Sequence, residues 1–445
     1  MRSGSTPPPR RRAVLAATAC ALVAAVLVFV SLLGTVFAML AMVIALGILA
    51  LAVFGADKVG FGLLCIGFAL AALSKGHYAA PIGPSVTLSD LALFGGFILL
   101  TPRLTRGRNE ASAMYSIGMV LIFVTGCIAS AANPAATTSL KTLIGMIWCM
   151  VMIPLAIAAL RPTDRMIRIL AWSFIVGHMI SVLDALTTTP LSARAQGLTA
   201  QSNEYAESGL IVVCLALYLF GRSTRRWPLL LATALALVSI YTSGSRGALI
   251  AIAAVMVALP IVERTAIAAS LFTAAAAVGA IFIPIASQSA GQDSALSRLL
   301  GNGTASASDN LRNQGLSNGW AQFFDHPLLG SGLSNLGLIH SNLLEIAVGL
   351  GIFGFAGFCL VLISLGRPMF GSSEHRRLSY IAVAFVVFSA TAPALTDRAM
   401  WVALALGFAY FRGFGEETGD RPGTSSATAE KNELVVDADH LPQLG

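Results

Sequence analysis

Residues 340–366 read HSNLLEIAVGLGIFGFAGFCLVLISLG, and from Ile346 onwards this segment carries no charged side chain. A helix needs about 20 predominantly apolar residues to cross the hydrocarbon core of a bilayer. The segment is longer than this minimum. It therefore predicts a transmembrane helix that begins with a cluster of polar residues at its amino end.

The rest of the chain has the same character. Of its 445 residues, 56% are hydrophobic and only 11% are charged. About a quarter of the residues of a soluble domain are charged, so this composition predicts an all-α polytopic membrane protein. Several candidate spans are short, and we expect about 12–14 transmembrane helices. The candidates are 13–33, 36–55, 59–73, 86–101, 113–132, 138–160, 166–186, 204–221, 227–243, 247–261, 264–286, 340–366, 377–393 and 397–414.

The predicted transmembrane domain covers residues 13–414. The polar segment 1–12 precedes it, and we expect this segment to be cytoplasmic. Residues 415–445 are polar and acidic without hydrophobic periodicity, which predicts a disordered cytoplasmic tail. One large loop, residues 287–339, separates two spans and is expected to be extracytoplasmic.

The large loop is expected to carry short helices. Its first half is rich in Ser, Gly and Asn, whereas Leu316, Trp320 and Phe323 recur at helical spacing in its second half. The preceding Ser308-Asp309 resembles a helix cap, so the pattern predicts a short amphipathic helix lying on the membrane surface. The sequence HPLLGSG that follows is expected to end this helix.

The distribution of Lys and Arg predicts the orientation. With a cytoplasmic amino terminus, nineteen of the 28 basic residues fall on the cytoplasmic side, seven fall on the other side and two lie in the tail. Cytoplasmic loops carry an excess of Lys and Arg, so this bias favours the predicted alternation of spans. The seven residues on the far side are Lys75, Lys141, Arg194, Arg246, Arg298, Arg312 and Arg398.

Several function classes are disfavoured. The net charge of +7 resides mainly in short loops and reports orientation, so we expect no nucleic-acid partner. The six cysteines lie in apolar segments without a CxxC spacing, which predicts neither a disulfide framework nor a metal site. No Asp-x-Asp pair occurs in a predicted outer loop, so ligands for a metal-bound diphosphate are lacking there. We expect no cofactor, and a substrate that arrives already activated.

Three arginines on the far side suggest an anion site. Arg194 and Arg246 have glycine neighbours that allow a close backbone approach, and Arg312 lies on the predicted surface helix. Guanidinium groups match phosphate oxygens in geometry and stay charged at any physiological pH. Together they favour a diphosphate site. The alternative is that each arginine reaches lipid headgroups or pairs with a nearby acid such as Glu204.

His340 is the candidate general base. At the amino end of a helix the positive end of the dipole disfavours imidazolium, so we expect a neutral ring that can accept a proton. Asn342 and Glu345 lie within about one helical turn and could orient the ring. The alternative is a polar cap where a helix meets water. His178 lies in the middle of a span and is expected to be a buried hydrogen-bond donor.

Four short motifs resemble the O-antigen ligase and O-antigen polymerase superfamily of membrane glycosyltransferases. Their order, their predicted side of the membrane and the large loop between them also match, over about residues 190–354. The chain departs from the family in having Ser341 where many members have Asn, and in its number of spans. The motifs are RAQG at 194–197 with Asn203 downstream, SGSRG at 243–247, HPLLGSGLSN at 326–335 and HSNLLE at 340–345.

The resemblance implies a function in cell-surface polysaccharide assembly at the bacterial cytoplasmic membrane. A glycan would pass from an undecaprenyl-diphosphate carrier to an acceptor hydroxyl on a glycan, lipid or protein, at the extracytoplasmic face and without a metal. Arg194 and Arg246 would bind the diphosphate, and His340 would deprotonate the acceptor. The residues expected to support them are Arg312, Asn342, Glu345 and Asn203.

Two other function classes remain open at this stage. A flippase for lipid-linked oligosaccharides would also be polytopic and cationic. However, charged residues in the middle of the spans are few, and the two halves of the chain do not repeat each other's motifs. A non-catalytic membrane partner of a polysaccharide assembly system would leave Arg194, Arg246 and His340 without a role. Ligation and polymerisation use the same diphosphate chemistry, so the sequence does not separate them.

Overall fold

The fold was analysed in a computed structural model. It describes residues 35–73, 86–105, 111–190, 194–265, 270, 273, 298, 305–334, 339–371, 375–392 and 395–408. The predicted spans 13–33 and 264–286 lie wholly or largely outside these residues. So do the segment 1–12, the first half of the large loop, and the tail.

Helices account for most of the described residues, and no strand occurs among them. The first helices are α1 (Thr35–Phe54), α2 (Ala56–Ala71), α3 (Leu88–Leu99), α4 (Thr101–Leu104) and α5 (Ala113–Ala132). Next come α6 (Ala136–Ile147), a π-helical turn (Trp148–Met152), α7 (Ile153–Leu160), α8 (Asp164–Thr188), α9 (Ser202–Phe220), α10 (Trp227–Ser243) and α11 (Arg246–Glu263). The last are α12 (Ala305–Asp325), α13 (Asn342–Gly366), two 3₁₀ turns (Arg367–Phe370 and Arg376–Ser379), α14 (Tyr380–Ser389) and α15 (Arg398–Phe408).

The helices confirm the predicted all-α membrane protein in its main features. Within the described part of the chain, six helical segments are long and apolar enough to cross a membrane. They are 113–132, 136–160, 164–188, 202–220, 246–263 and 342–370. Four more apolar helical segments are shorter, so the number of spans stays a prediction.

The helix bounds follow the hydropathy closely. Predicted spans 113–132 and 227–243 coincide with α5 and α10. The weak span 86–101 is a 12-residue helix, α3, which starts in a capping box: Thr87 accepts a hydrogen bond from the Asp90 amide and Asp90 accepts one from the Thr87 amide.

The helices pack around α9, most of whose residues are buried, and around a close pair formed by α5 and α13. A Cβ added to Gly118 would lie 2.6 Å from the Gly357 carbonyl oxygen, and one added to Gly357 would lie 2.7 Å from that of Gly118. Only glycine permits this approach of two helix backbones.

Contacts between chain segments define two opposite ends of the bundle. At one end, Arg222 binds Asp164 at 3.1 Å, and Arg376 and Arg377 bind Glu263 at 2.7 and 2.8 Å. We call it the Glu263 end. The other end carries Ser243 and Arg246, and we call it the arginine end. The grouping of helix ends agrees with the predicted alternation, and which end faces the cytoplasm stays a prediction.

The helix in the large loop differs from the prediction. Ser308 and Asp309 lie inside α12, so the prediction that they cap it is wrong. Leu316 and Phe323 pack against Ile339, Leu344, Ala347 and Val348 near the start of α13. Trp320 instead is half exposed. The three predicted apolar residues therefore do not form one membrane-facing surface.

Candidate functional site

The site is built around residues 243–246, the turn between α10 and α11. Gly244 has a φ of 69°, a left-handed conformation that suits a glycine at the carboxyl end of a helix. The last carbonyls of α10 lack partners within the helix. Arg194 Nε donates to the Ser243 carbonyl at 3.0 Å, and Arg298 Nη1 donates to the Gly244 carbonyl at 2.9 Å. These bonds place two guanidinium groups at the start of α11.

Arg246 is the first residue of α11 and provides a third guanidinium group. Its Nη1 donates to Asp309 Oδ2 at 2.9 Å, and its Nη2 pairs with Asp309 Oδ1. This two-pronged pair ties α12 to α11. Hydrogen bonding from Arg246 holds the pKa of the Asp309 carboxyl below its usual range, so it is ionised at neutral pH.

Arg312 is the fourth guanidinium group, one turn after Asp309 on α12. Burial lowers its pKa, and the charges of Arg246 and Arg298 lower it further. Mutual repulsion of this kind shows that positive charge exceeds negative charge around Arg312. Such an excess in a partly buried place attracts anions.

His340 lies beside this group and outside α13. The N-cap of α13 is Ser341, whose side chain makes no capping bond, and His340 precedes it with a φ of 57°. A left-handed conformation costs a non-glycine residue about 1–2 kcal/mol. His340 is therefore not the cap of α13. Strained residues of this kind cluster at functional sites, which supports a functional role.

The environment of His340 favours its neutral form. Burial lowers the pKa of its imidazole, and the positive charge of Arg312 lowers it further. A neutral imidazole has one nitrogen that can accept a proton. The ring is half-buried and so remains partly accessible.

The supporting residues lie at the same end but differ in depth. Asn342 is fully buried, and its Nδ2 donates to Ser389 Oγ at 3.0 Å on α14. Glu345 is also buried, in the first turn of α13, and Asn203 is half-buried in the first turn of α9. The contact of Asn342 with α14 indicates that it fixes the start of α13 within the bundle.

Two members of the site were not singled out from the sequence. Arg298 was only one of the seven far-side basic residues, and Asp309 was interpreted as a cap. Their contacts with Gly244 and Arg246 join residues 54 and 63 positions apart. Spacing along the chain carries no signal for such contacts. Within the described ranges, no group of three or more His, Cys, Asp or Glu side chains could hold a metal ion.

Two other polar clusters are buried in the bundle. Arg398 Nε binds both Asp90 oxygens at 3.2 and 3.3 Å, and Trp148 Nε1 donates to Asp90 Oδ1 at 2.7 Å. His178 Nε2 lies 3.0 Å from Ser239 Oγ. The Ser239 hydroxyl also bonds the Ala236 carbonyl at 2.7 Å, so the buried His178 ring is hydrogen-bonded inside the bundle.

In comparisons with known proteins, no protein-family model and no curated protein matches the chain. The resemblance to the O-antigen ligase and polymerase superfamily therefore rests on the four motifs.

Proposed function

We propose that the protein is a membrane glycosyltransferase that moves a glycan from an undecaprenyl-diphosphate carrier to an acceptor hydroxyl. The observation that carries the proposal is the placement of an arginine group next to a histidine that is held neutral. The reaction takes place at the arginine end, which is the extracytoplasmic face if the distribution of basic residues reports the orientation.

The arginines would bind and stabilise the leaving group. When the bond between the anomeric carbon and the diphosphate breaks, its electron pair goes to a diphosphate oxygen. Arg194, Arg246 and Arg312 supply fixed positive charge for this developing negative charge, in a partly buried site where electrostatic stabilisation is strong. The repulsion between Arg312 and its arginine neighbours would be relieved when the diphosphate binds.

His340 would act as the general base. The acceptor oxygen attacks the anomeric carbon, a new glycosidic bond forms, and the hydroxyl proton passes to the unprotonated nitrogen of His340. A positioned base typically contributes about 10²–10⁴-fold to the rate. The depressed pKa keeps the ring ready to accept this proton at neutral pH.

A defined assay tests the proposal. Purified protein in lipid nanodiscs is given an undecaprenyl-diphosphate-linked oligosaccharide together with glycan, lipid A-type or peptide acceptors, with and without EDTA. We expect a glycan–acceptor product and free undecaprenyl diphosphate in equal amounts in both conditions. Movement of the donor across a liposome membrane without any product would contradict the proposal and favour a flippase. An EDTA-sensitive reaction that magnesium restores would contradict the metal-free mechanism.

A further inference from the structure

The turn at residues 326–332 packs against α13 at an interruption in the middle of that helix. α13 is interrupted at Gly351, where φ is 67° and ψ is −169°, and a Cβ there would collide with the Leu328 carbonyl group. Three backbone hydrogen bonds join the turn to α13 around this interruption. They run from Ser331 N to the Val348 carbonyl at 2.8 Å, from Gly332 N to the Gly349 carbonyl at 2.9 Å, and from Ile352 N to the Pro327 carbonyl at 2.9 Å.

These contacts place the turn well below the start of α13. Gly351 is the tenth residue of a 25-residue helix, so it lies about 13 Å along the axis from Asn342. The turn also contacts the connection between α5 and α6: Asn133 Nδ2 lies 3.2 Å from Ser334 Oγ, and the Leu333 amide donates to Ser139 Oγ at 2.8 Å. The turn therefore lies near the level at which these two predicted spans end.

α12 descends towards this level along α13. Gly319 packs against Leu344, because a Cβ added to Gly319 would lie 2.9 Å from Leu344 Cδ2. Nine residues later the chain meets Gly351, which is about 10 Å further along α13. The second half of α12 therefore does not lie flat at the end of the bundle.

Apolar side chains are exposed along this descent. Phe324 is 71% exposed and Leu328 is 61% exposed, and Trp320 stacks on Phe324 with ring centroids 6.1 Å apart. On α13, exposed Ile352 and Phe353 lie at the same level as Leu328. The exposed surface of the turn is thus continuous with the surface that a transmembrane helix presents to lipid.

The other two sides of α12 have different environments. Leu316 and Phe323 pack on α13, as described above. Exposed polar residues line the opposite side at helical spacing, namely Gln314, Asn318, Gln322 and Asp325. α12 therefore has a protein-facing side, a polar side and an exposed apolar side that continues into the turn.

We propose that Trp320, Phe324, Leu328 and Leu329 form a membrane-inserted surface whose partner is the acyl chains of the leaflet at the arginine end. The segment from the second half of α12 to Gly332 then lies beside α13 at the boundary between lipid headgroups and hydrocarbon, with its polar side towards water. We call these four residues the lipid patch. This inference does not depend on the proposed transferase activity.

Much of the backbone of the turn is bonded inside the protein, as irregular backbone beside lipid requires. Pro327 has no N–H group, and the N–H groups of Gly330, Ser331 and Gly332 all bind carbonyl oxygens, that of Gly330 binding the His326 carbonyl at 3.0 Å. The bonds to α13 therefore fix the turn against the helix, with the side chains of Leu328 and Leu329 exposed.

Spin labels test the lipid patch directly. In a variant whose six cysteines are replaced by alanine, nitroxides are attached to Phe324→Cys, Leu328→Cys and, as the matched polar control two residues away, Gln322→Cys. The proteins are placed in nanodiscs of phosphatidylcholine and phosphatidylglycerol. We expect labels at 324 and 328 to be more accessible to oxygen than to the water-soluble nickel complex NiEDDA, with 328 deeper. The label at 322 should show the opposite preference.

Two results would overturn the proposal. One is a label at 328 as accessible to the nickel complex as the label at 322, which would put the turn in water. The other is shielding of 324 and 328 from both reagents, which would indicate a protein partner on the patch. The native-cysteine protein gives an independent measurement: brominated lipids should quench its fluorescence more than that of Trp320→Phe. Equal quenching would also contradict the proposal.

Discussion

Arg246 is held by a carboxylate, and this carboxylate occupies the guanidinium fork that the proposed diphosphate needs. The Arg246–Asp309 contact is two-pronged, the same geometry with which a guanidinium group binds a phosphate. A diphosphate would therefore compete with Asp309 for Arg246. The remaining positive charges of Arg194, Arg298 and Arg312 favour the ligand, which carries more negative charge than a single carboxylate.

Substitutions at this pair should change donor affinity in opposite directions. We expect Arg246→Ala to weaken binding of an undecaprenyl diphosphate analogue at least tenfold, and Arg246→Lys to weaken it less, because lysine keeps the charge and loses the planar fork. Asp309→Asn should strengthen binding several-fold, since it removes the competing charge. Affinity measured in nanodiscs at fixed ionic strength checks this. Weaker binding to Asp309→Asn would mean that Asp309 positions Arg246 for the ligand instead of competing with it.

The pKa of His340 predicts the pH dependence of transfer. A base acts in its unprotonated form, so the rate should fall as the pH drops through the pKa of His340. Because burial and Arg312 lower that pKa, the fall should occur below pH 6.5, the ordinary range of histidine. Arg312→Gln should move the fall to higher pH, since it removes the second cause and leaves the burial. Profiles of kcat/KM against pH, which report the free enzyme, measure this for both proteins, and an unchanged midpoint would exclude the charge effect.

At the scale of helices, a buried ion pair joins elements that are far apart in sequence. Asp90 on α3 and Arg398 on α15 are both buried, and Trp148 in the π-helical turn also donates to Asp90. The net contribution of such a pair to the stability of the fold is small. Removal of one partner is nevertheless destabilising, because it leaves the other charge buried without a counter-charge. This pair fixes how α3, the π-helical turn and α15 meet.

Asp90→Ala should therefore be strongly destabilising. The expected cost is about 3–5 kcal/mol, the usual effect of breaking a buried pair. The matched control is Asp57→Ala, which breaks the exposed Arg103–Asp57 pair at 2.8 Å and should cost less than about 1 kcal/mol. Reversible unfolding in mixed detergent micelles measures both. Equal effects of the two substitutions would show that the Asp90 pair does not stabilise the helix arrangement.

Hydropathy predicted helices well where the signal is continuous. α5 and α10 match their predicted spans to the residue because a polar or glycine residue bounds each apolar segment at both ends. The π-helical turn at Trp148–Met152 and the interruption at Gly351 were not predicted. Both interrupt the regular α-helical hydrogen bonding of an apolar segment, which the hydrophobicity of the segment does not encode. At the site, Arg194, Arg246 and His340 were predicted from residue type, whereas Arg298 and Asp309 were missed because their contacts are long-range.

At the scale of the whole molecule, contacts sort the helix ends into two groups, and the distribution of basic residues predicts which group is cytoplasmic. Single cysteines at exposed Asn310 and Thr224 test it in a background without native cysteines. We expect a membrane-impermeant maleimide to label Asn310→Cys in cells with a permeabilised outer membrane, and to label Thr224→Cys only after the inner membrane is also opened. The reverse pattern would place the arginine end in the cytoplasm, away from an extracytoplasmic donor.

The central claim is that the residues at the arginine end have two separate roles: the arginines bind the diphosphate, and His340 accepts a proton from the acceptor. The most direct measurement is the paired determination, on purified His340→Ala, of the transfer rate and of the affinity for an undecaprenyl diphosphate analogue. The rate should fall about 10²–10⁴-fold. The affinity should stay within about twofold of the wild type, because the guanidinium groups are unchanged. A His340→Ala protein that transfers glycan at the wild-type rate would contradict the account.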